Sequence, residues 1–187
     1  MNPAAPAGLS VMKATNLAGL YDLPLLDWAQ VEARLNEGLE QAPGDGGPGR
    51  HTCWLATINP DGSPHVTAVG ALWVDGAWWF QTGAGTRKGR NVAREPRCSL
   101  AVSVQDADVV VEGDAVRITD AGALAKIAKA WAEQGWPAEP DETGVGITAP
   151  FNAPAQGAPP WHVYRVEPRA ATVCWNAEPG GLTRFRF

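Results

Sequence analysis

The sequence predicts a mainly β protein, an antiparallel β-barrel with peripheral helices. Three observations carry that reading. Short runs rich in β-branched and aromatic residues recur at 51–58, 64–74, 77–82, 98–104, 109–119, 161–167 and 170–175, and GLTRFRF closes the chain. Tight-turn chemistry joins many of them, as at Asn59-Pro60-Asp61-Gly62, at Asp75-Gly76 and at QDAD (105–108). Two or three segments carry a helical period, too few to supply the crossovers of a doubly wound parallel sheet.

Composition narrows the functional class. A chain of 187 residues is most economically one domain and buries a substantial core without disulfides. Residues 1–22 are expected to form a flexible N-terminal arm and 23–187 a single domain. A net charge of −5 implies no broad basic surface for duplex nucleic acid, while leaving room for a local basic pocket, and no nucleic-acid partner is expected. Cys53, Cys98 and Cys174 are odd in number, widely spaced and without a CxxC pair, which suits reduced, buried thiols and no metal site. No apolar run approaches the roughly 20 residues of a spanning helix and none resembles a leader, so the expectation is a cytoplasmic protein with no membrane contact.

The elements follow in order. MNPAAPAGLS has too little apolar surface to pack. Asp27 is a plausible N-cap, and Trp28, Val31, Leu35 and Leu39 at helical spacing predict a helix lying on the barrel. QAPGDGGPGR (41–50) is a loop of breakers. HTCWLATI and PHVTAVGALWV form a hairpin across the Pro-Asp-Gly turn. Its second arm presents His65, Thr67 and Val69 on one face and Val66, Ala68 and Gly70 on the other. AWWFQT is the third strand. In VVVEGDAVRIT, Gly113-Asp114 predicts a bulge or kink. Asp120 caps a helix carrying Leu124, Ile127, Ala128 and Trp131 on one stripe, ended by Gly135 and Pro137. The Pro-, Gly- and Ala-rich segment 137–160 reads as a lid or a disordered insertion.

The chemistry gathers in WWFQTGAGTRKGRNVAREPRCSLAV (78–102): an apolar strand, a glycine turn, a short basic helix and another strand. Gly83 and Gly85 give the turn its freedom, Thr86 can cap the helix, and Pro96 stops it near Glu95. Unpaired backbone N–H groups and the dipole at the helix start, with Arg87 and Lys88 beside them, suit a phosphate. On charge alone the stretch is equally a hairpin with a solvated basic crossover. Glycines at 83, 85 and 89 miss the GxGxxG spacing by one place, and Gly89 stands where a Walker loop needs Ser or Thr.

FQTGAGTRKGRNVAREPRCSLAV resembles the signature of the pyridoxamine-phosphate-oxidase-like split β-barrels, a family of flavin and deazaflavin binders. NPDGSPHVTAVGALW resembles that family's preceding hairpin and cofactor-lining strand, and TRFRF resembles an ending common in its deazaflavin-using branch; together these cover roughly residues 50–187. The resemblance implies a homodimer with the cofactor at the subunit interface. It implies that Arg87 and Lys88, with Thr86 and the weaker candidate Asn91, hold the phosphate. It also implies that the strand His65, Val66, Thr67, Ala68, Val69 and Gly70 runs beneath the ring. Gln81 and Thr82 match positions that bond the ring or ribityl chain, and either could equally close the turn at Gly83. Trp175 and Arg184 resemble positions that close the site from the second subunit, the plain alternative being a core tryptophan and a surface arginine. His65 stands where the FMN-using oxidases carry an arginine, and this with TRFRF favours the deazaflavin F420 over FMN. The implied activity is hydride transfer between F420 and a small organic substrate, with no catalytic side chain assigned, since the cofactor supplies the reactivity. The rivals are an FMN-dependent oxidoreductase, a non-catalytic binder of flavin, haem or a tetrapyrrole, and a structural dimer without ligand. His51 and His162 lack partners at diagnostic spacing and read as structural.

Overall fold

The computed structural model describes residues 9–41 and 49–187; the start of the expected arm and most of the 41–50 loop lie outside the described residues. The strands are β1 (Lys13–Asn16), β2 (Cys53–Ile58), β3 (Pro64–Val69), β4 (Ala71–Val74), β5 (Ala77–Gly83), β6 (Arg97–Val104), β7 (Ala107–Ile118), β8 (Glu139–Pro140), β9 (Ile147–Thr148), β10 (Trp161–Trp175) and β11 (Gly181–Arg186). The helices are α1 (Trp28–Asn36), α2 (Arg87–Arg94) and α3 (Ala121–Glu133). All pairings are antiparallel, in the order β1-β11-β10-β7-β6-β2-β3, and the sheet does not close on itself.

β10 is the spine. One edge pairs with β7 along nearly its whole length; the other pairs first with β5 (161–166) and then with β11 (170–175). The change of partner splits the barrel into two lobes that share one strand. The sequence suggests two strands, 161–167 and 170–175, and a break at Gly113. Instead β7 and β10 each run through, and the irregularity is a register shift on β10 between Pro168 and Ala170. Gly113 is still required, because a Cβ there would lie 2.1 Å from the carbonyl oxygen of Glu167.

Two cores explain the strand residues. Trp78 and Phe80 of β5 point into the barrel with Leu55, Leu100, Val109, Tyr164, Val166 and the α1 residues Trp28, Val31 and Leu35. Trp79, on the opposite face, packs under α3 with Leu72, Leu124, Ile127, Trp131, Trp161 and Val163. All seven β5 residues are therefore buried, which an alternating amphipathic pattern does not produce. Each fully buried large side chain contributes roughly 1.5 to 3 kcal/mol.

Other expectations need adjustment. Leu39 is buried but lies beyond α1, whose Asp27 cap accepts from the Ala29 N–H at 3.1 Å. The second hairpin arm breaks at Gly70, so that β4 leaves β2 and pairs with β5 through the Asp75-Gly76 turn, both residues at positive φ. Lys13–Asn16, within the segment expected to be a flexible arm, adds an edge strand beside β11. Segment 137–160 is ordered: β8 and β9 pair, and Ala138, Ile147 and Gln156 are buried. Burial pushes the Cys53 and Cys98 thiols up to about 12. Among the described residues no helix is long and apolar enough to cross a membrane, and no cluster of three or more His, Cys, Asp or Glu could hold a metal.

Gly113→Ala is expected to destabilise the fold by about 2 kcal/mol, because a backbone carbonyl blocks the added methyl. Gly85→Ala, which meets open space, should stay within about 0.5 kcal/mol of the parent in urea unfolding.

Candidate functional site

The site is built around the corner where β5 becomes α2. Thr86 caps the helix: its hydroxyl accepts from the Gly89 N–H at 3.0 Å, donates to the Gly83 carbonyl at 2.9 Å, and lies 2.8 Å from the Thr82 hydroxyl. With its own proton on Gly83, Thr86 accepts that of Thr82. Thr82 and Thr86 are thereby absorbed into the corner itself. Gly89 is required because a Cβ there would meet the Gly83 carbonyl at 2.5 Å and the Thr86 hydroxyl at 3.0 Å. This packing places the third glycine one residue beyond its place in a dinucleotide loop.

Asn91, one turn after Lys88, is buried and donates to Thr57 Oγ1 at 3.1 Å and Asn59 Oδ1 at 3.2 Å. Both amide protons are spent pinning α2 to β2 and its turn, so the structure uses Asn91 to set the helix. Arg90 and Arg94 fold back onto the carbonyls of Gly85 and Ile58. Arg87 is exposed and has no carboxylate partner among the described residues.

Lys88 is the unusual member. It is only 5% exposed, and its ammonium donates to the Ala155 carbonyl at 2.5 Å. Burial holds its pKa below the usual lysine value. One of its three N–H groups is used by Ala155, which leaves two for another acceptor. His65, on β3, has its pKa lowered by burial and by the charges of Arg87 and Lys88, so the three basic groups share one field.

Beside Lys88 opens a cleft of about 390 Å³. Ala68, Val69 and Gly70 from the end of β3, Gln81 from β5 and Lys88 from α2 line it, joined by Trp131, Gln134 and Trp136 from the α3 region and by residues 152–156. Of the residues named from sequence, these five meet at the cleft. Val66 lies on the outward face of β3 and is 56% exposed, while Thr67 is partly buried and outside the cleft lining. Trp175 packs inside the barrel of its own chain, with the Arg34 guanidinium 6.0 Å above its ring. Arg184 is held by Glu112 at 2.6 and 3.0 Å and by Thr172 at 3.0 Å, away from the cleft lining.

Sequence reading misses the residues that 137–160 contributes. Gln156 is buried and its amide donates to Gln81 Oε1 at 2.6 Å. Two indoles tie the surrounding strap: Trp136 donates to the Phe151 carbonyl at 2.8 Å and Trp161 to the Gly157 carbonyl at 2.9 Å. His51 and Gln41 also line the cleft. His51 Nδ1 accepts from the Glu40 N–H at 2.9 Å, consistent with a structural histidine, and Gln41 bridges the Ala71 N–H and Cys53 Sγ. None carries a local signal, because each acts across the fold.

The arrangement suits an anionic ligand with an apolar body. A buried ammonium with two remaining donors lies at the wall, on the first turn of α2, apolar strand and indole surface lines much of the rest, and Arg87 stands outside the lining.

Comparison with known proteins identifies the family. Residues 46–171 match the family model described as pyridoxamine 5'-phosphate oxidase. No curated protein sequence matches the chain. Among solved structures, a conserved hypothetical protein of Mycobacterium tuberculosis is 25% identical, with 81% of this chain and 86% of that one covered and a TM-score of 0.56. A pyridoxamine 5'-phosphate oxidase-related, FMN-binding protein of Nostoc punctiforme is 16% identical over 84% and 89%, at 0.53. PhzG of Burkholderia lata, solved with tetrahydrophenazine-1-carboxylic acid, is 16% identical over 88% and 87%, at 0.52. With two thirds of its length matched and the open antiparallel barrel in place, the chain belongs to the pyridoxamine 5'-phosphate oxidase family.

Proposed function

We propose that the protein is an F420-dependent oxidoreductase that moves a hydride between the deazaflavin and a small organic substrate. The observation that carries this reading is Lys88, a buried ammonium with donors to spare at the wall of a cleft bounded by a strand end and a helix start. Lys88 and the helix N–H groups would take the phosphate, Arg87 would screen its outer charge, and the backbone of Ala68 to Gly70 would lie along the ring. F420, when bound, supplies the hydride chemistry; the chain binds, orients and excludes water. The resemblance of TRFRF to the deazaflavin branch, and His65 in place of an arginine, support F420 over FMN. The same donors would also take FMN, and absorbance of the loaded protein separates the two, near about 420 nm for oxidised F420 and about 450 nm for FMN.

A homodimer is part of the proposal. The register aligns Ala68, Trp54, Ala101, Val110, Thr172 and Arg184 across the outer face of five adjacent strand pairings. Trp54 is 51% exposed on it, and Val66 lies on the same outer face. A second copy would cover this strip, apolar from Ala68 to Val110 and polar at Thr172 and Arg184, and bring the partner's outer face to the cleft edge. Free thiols, buried at Cys53 and Cys98 and partly exposed at Cys174, fit a reducing cytoplasm.

Combined Arg87→Ala and Lys88→Ala should weaken cofactor binding by several kcal/mol, since each charge-assisted bond contributes about 1.5 to 3 kcal/mol, with more of the loss from buried Lys88. Fluorescence titration of the parent and variant checks this, with thermal unfolding to establish that both are folded; equal titration curves refute the phosphate assignment.

The His65 field gives a pH dependence. In the free protein burial, with the charges of Arg87 and Lys88 beside it, holds its pKa below the ordinary histidine value and so favours the neutral imidazole. An anion at Lys88 favours the charged imidazole, raises that pKa, and makes binding take up a proton. Sulfate, whose charge is constant over the range, should bind more tightly as pH falls from about 7 through the His65 transition. The trend should flatten in His65→Gln, as read by calorimetry in buffers of different ionisation enthalpy.

A further inference from the structure

We infer that Gln156 is a positioning residue that fixes the Gln81 amide as a donor toward the cleft, so that the ligand edge met there is a hydrogen-bond acceptor such as a ring carbonyl. The inference rests on the reading of this cleft as the cofactor site.

An amide side chain by itself has no polarity preference, because oxygen and nitrogen exchange places on a half-turn. Here the direction is forced from the backbone outward. The Ala153 N–H can only donate, and it donates to Gln156 Oε1 at 3.1 Å. Gln156 Nε2 must therefore be the end that meets Gln81, at 2.6 Å, and Gln81 must receive it on Oε1. That leaves the Gln81 NH2, which has no partner among the described residues, on a side chain that lines the cleft and is only 7% exposed. That donor faces the open cleft and not the closed core, so a bound acceptor takes the place of water on it.

The relay has a rigid support. Gln156 ends the short turn Pro154–Gln156, next to Ala155, whose carbonyl holds Lys88. The indole bonds at Phe151 and Gly157 bracket it, and Gly83 meets the carbonyl oxygens of Gln156 and Ala158 at distances no Cβ would tolerate without a shift. A rotation of Gln156 would break its bond to Ala153 or place two like dipoles together. In a flavin or deazaflavin the pyrimidine carbonyls satisfy the requirement, whereas the N–H between them does not.

Substitutions of nearly equal shape test the polarity. In Gln156→Glu the carboxylate still accepts from Ala153 but cannot donate to Gln81, which turns over to donate to it and presents oxygen to the cleft. Gln81→Glu reaches the same end state directly. Gln156→Ala removes the relay and leaves Gln81 free to choose. The parent and variants are titrated with F420 and with FMN by fluorescence quenching, with Gln134→Glu as the reference for an added charge at the cleft wall. The expected order is parent tightest, then Gln156→Ala, with Gln156→Glu and Gln81→Glu weakest by about tenfold or more beyond the charge reference. In ¹⁵N-labelled parent protein the Gln81 side-chain amide resonances should shift on cofactor addition, and in Gln156→Glu they should not respond. A Gln156→Ala variant weaker than Gln156→Glu would show that Gln156 only supports the strap and would overturn the inference. Failure of the parent to bind either cofactor would overturn the cofactor reading, and the inference with it.

Discussion

The hydroxyl of Thr86 is the contact on which the site depends. It closes the end of β5 and the start of α2 into one unit by bonding to the Gly83 carbonyl, the Gly89 N–H and the Thr82 hydroxyl. The corner fixes the direction of the helix, and the helix turns Lys88 inward and leaves Arg87 outside. Asn91 then locks the other side of α2 to β2. Moving any one of these would change where the ammonium lies before it changed the fold. The remaining groups at the helix start gain their electrostatic meaning from this placement.

The barrel explains why the corner is held still. β5 is covered on both faces, by the barrel core through Trp78 and Phe80 and by α3 through Trp79, so its end cannot swing. β10 carries the load between the lobes: its first half pairs with β5 beside the site, and its second half turns to β11. The register shift near Pro168 lies at that change of partner. A strand that serves two lobes must bend there, and Gly113 opposite accommodates it.

What is legible in the sequence follows the range of the interactions. The α2 corner, the Asp27 and Asp120 caps and the Asp75-Gly76 turn are local, and their residue types announce them. The Trp28, Val31, Leu35 face and the Leu124, Ile127, Trp131 face are equally plain, because helical spacing is a short-range pattern. The break at Gly70 is not, since strand-forming residues continue on both sides of it in PHVTAVGALWV and only the pairing of β4 with β5 separates the two halves. The strap of 151–157 is illegible for a different reason. Its composition is that of a loop, and its order comes from the nearby Trp161 and from Trp136, Lys88 and Gln81, which are more distant in the chain. Trp175 and Arg184 show the limit of motif reading: one faces its own core and the other a glutamate two strands away, roles that a short terminal pattern does not distinguish.

The strap also bears on how an anion would enter. Lys88 is buried, and without a partner its charge would be costly there; the Ala155 carbonyl meets that need with a neutral dipole. A carbonyl offers partial charge where a phosphate offers full charge, so an incoming anion binds an ammonium that is already desolvated and oriented. Little reorganisation is left to oppose it. The lowered proton affinity of Lys88 follows from the same burial, and an anion beside it acts in the opposite direction. Ala155 and a ligand need not exclude one another, because the ammonium has three donors and the carbonyl takes one. The strap is then better understood as part of the wall: it holds Lys88 from behind and Gln81 through Gln156, and both face the same cleft. A segment that looks like an insertion in the sequence sets the chemistry of the site from its far side.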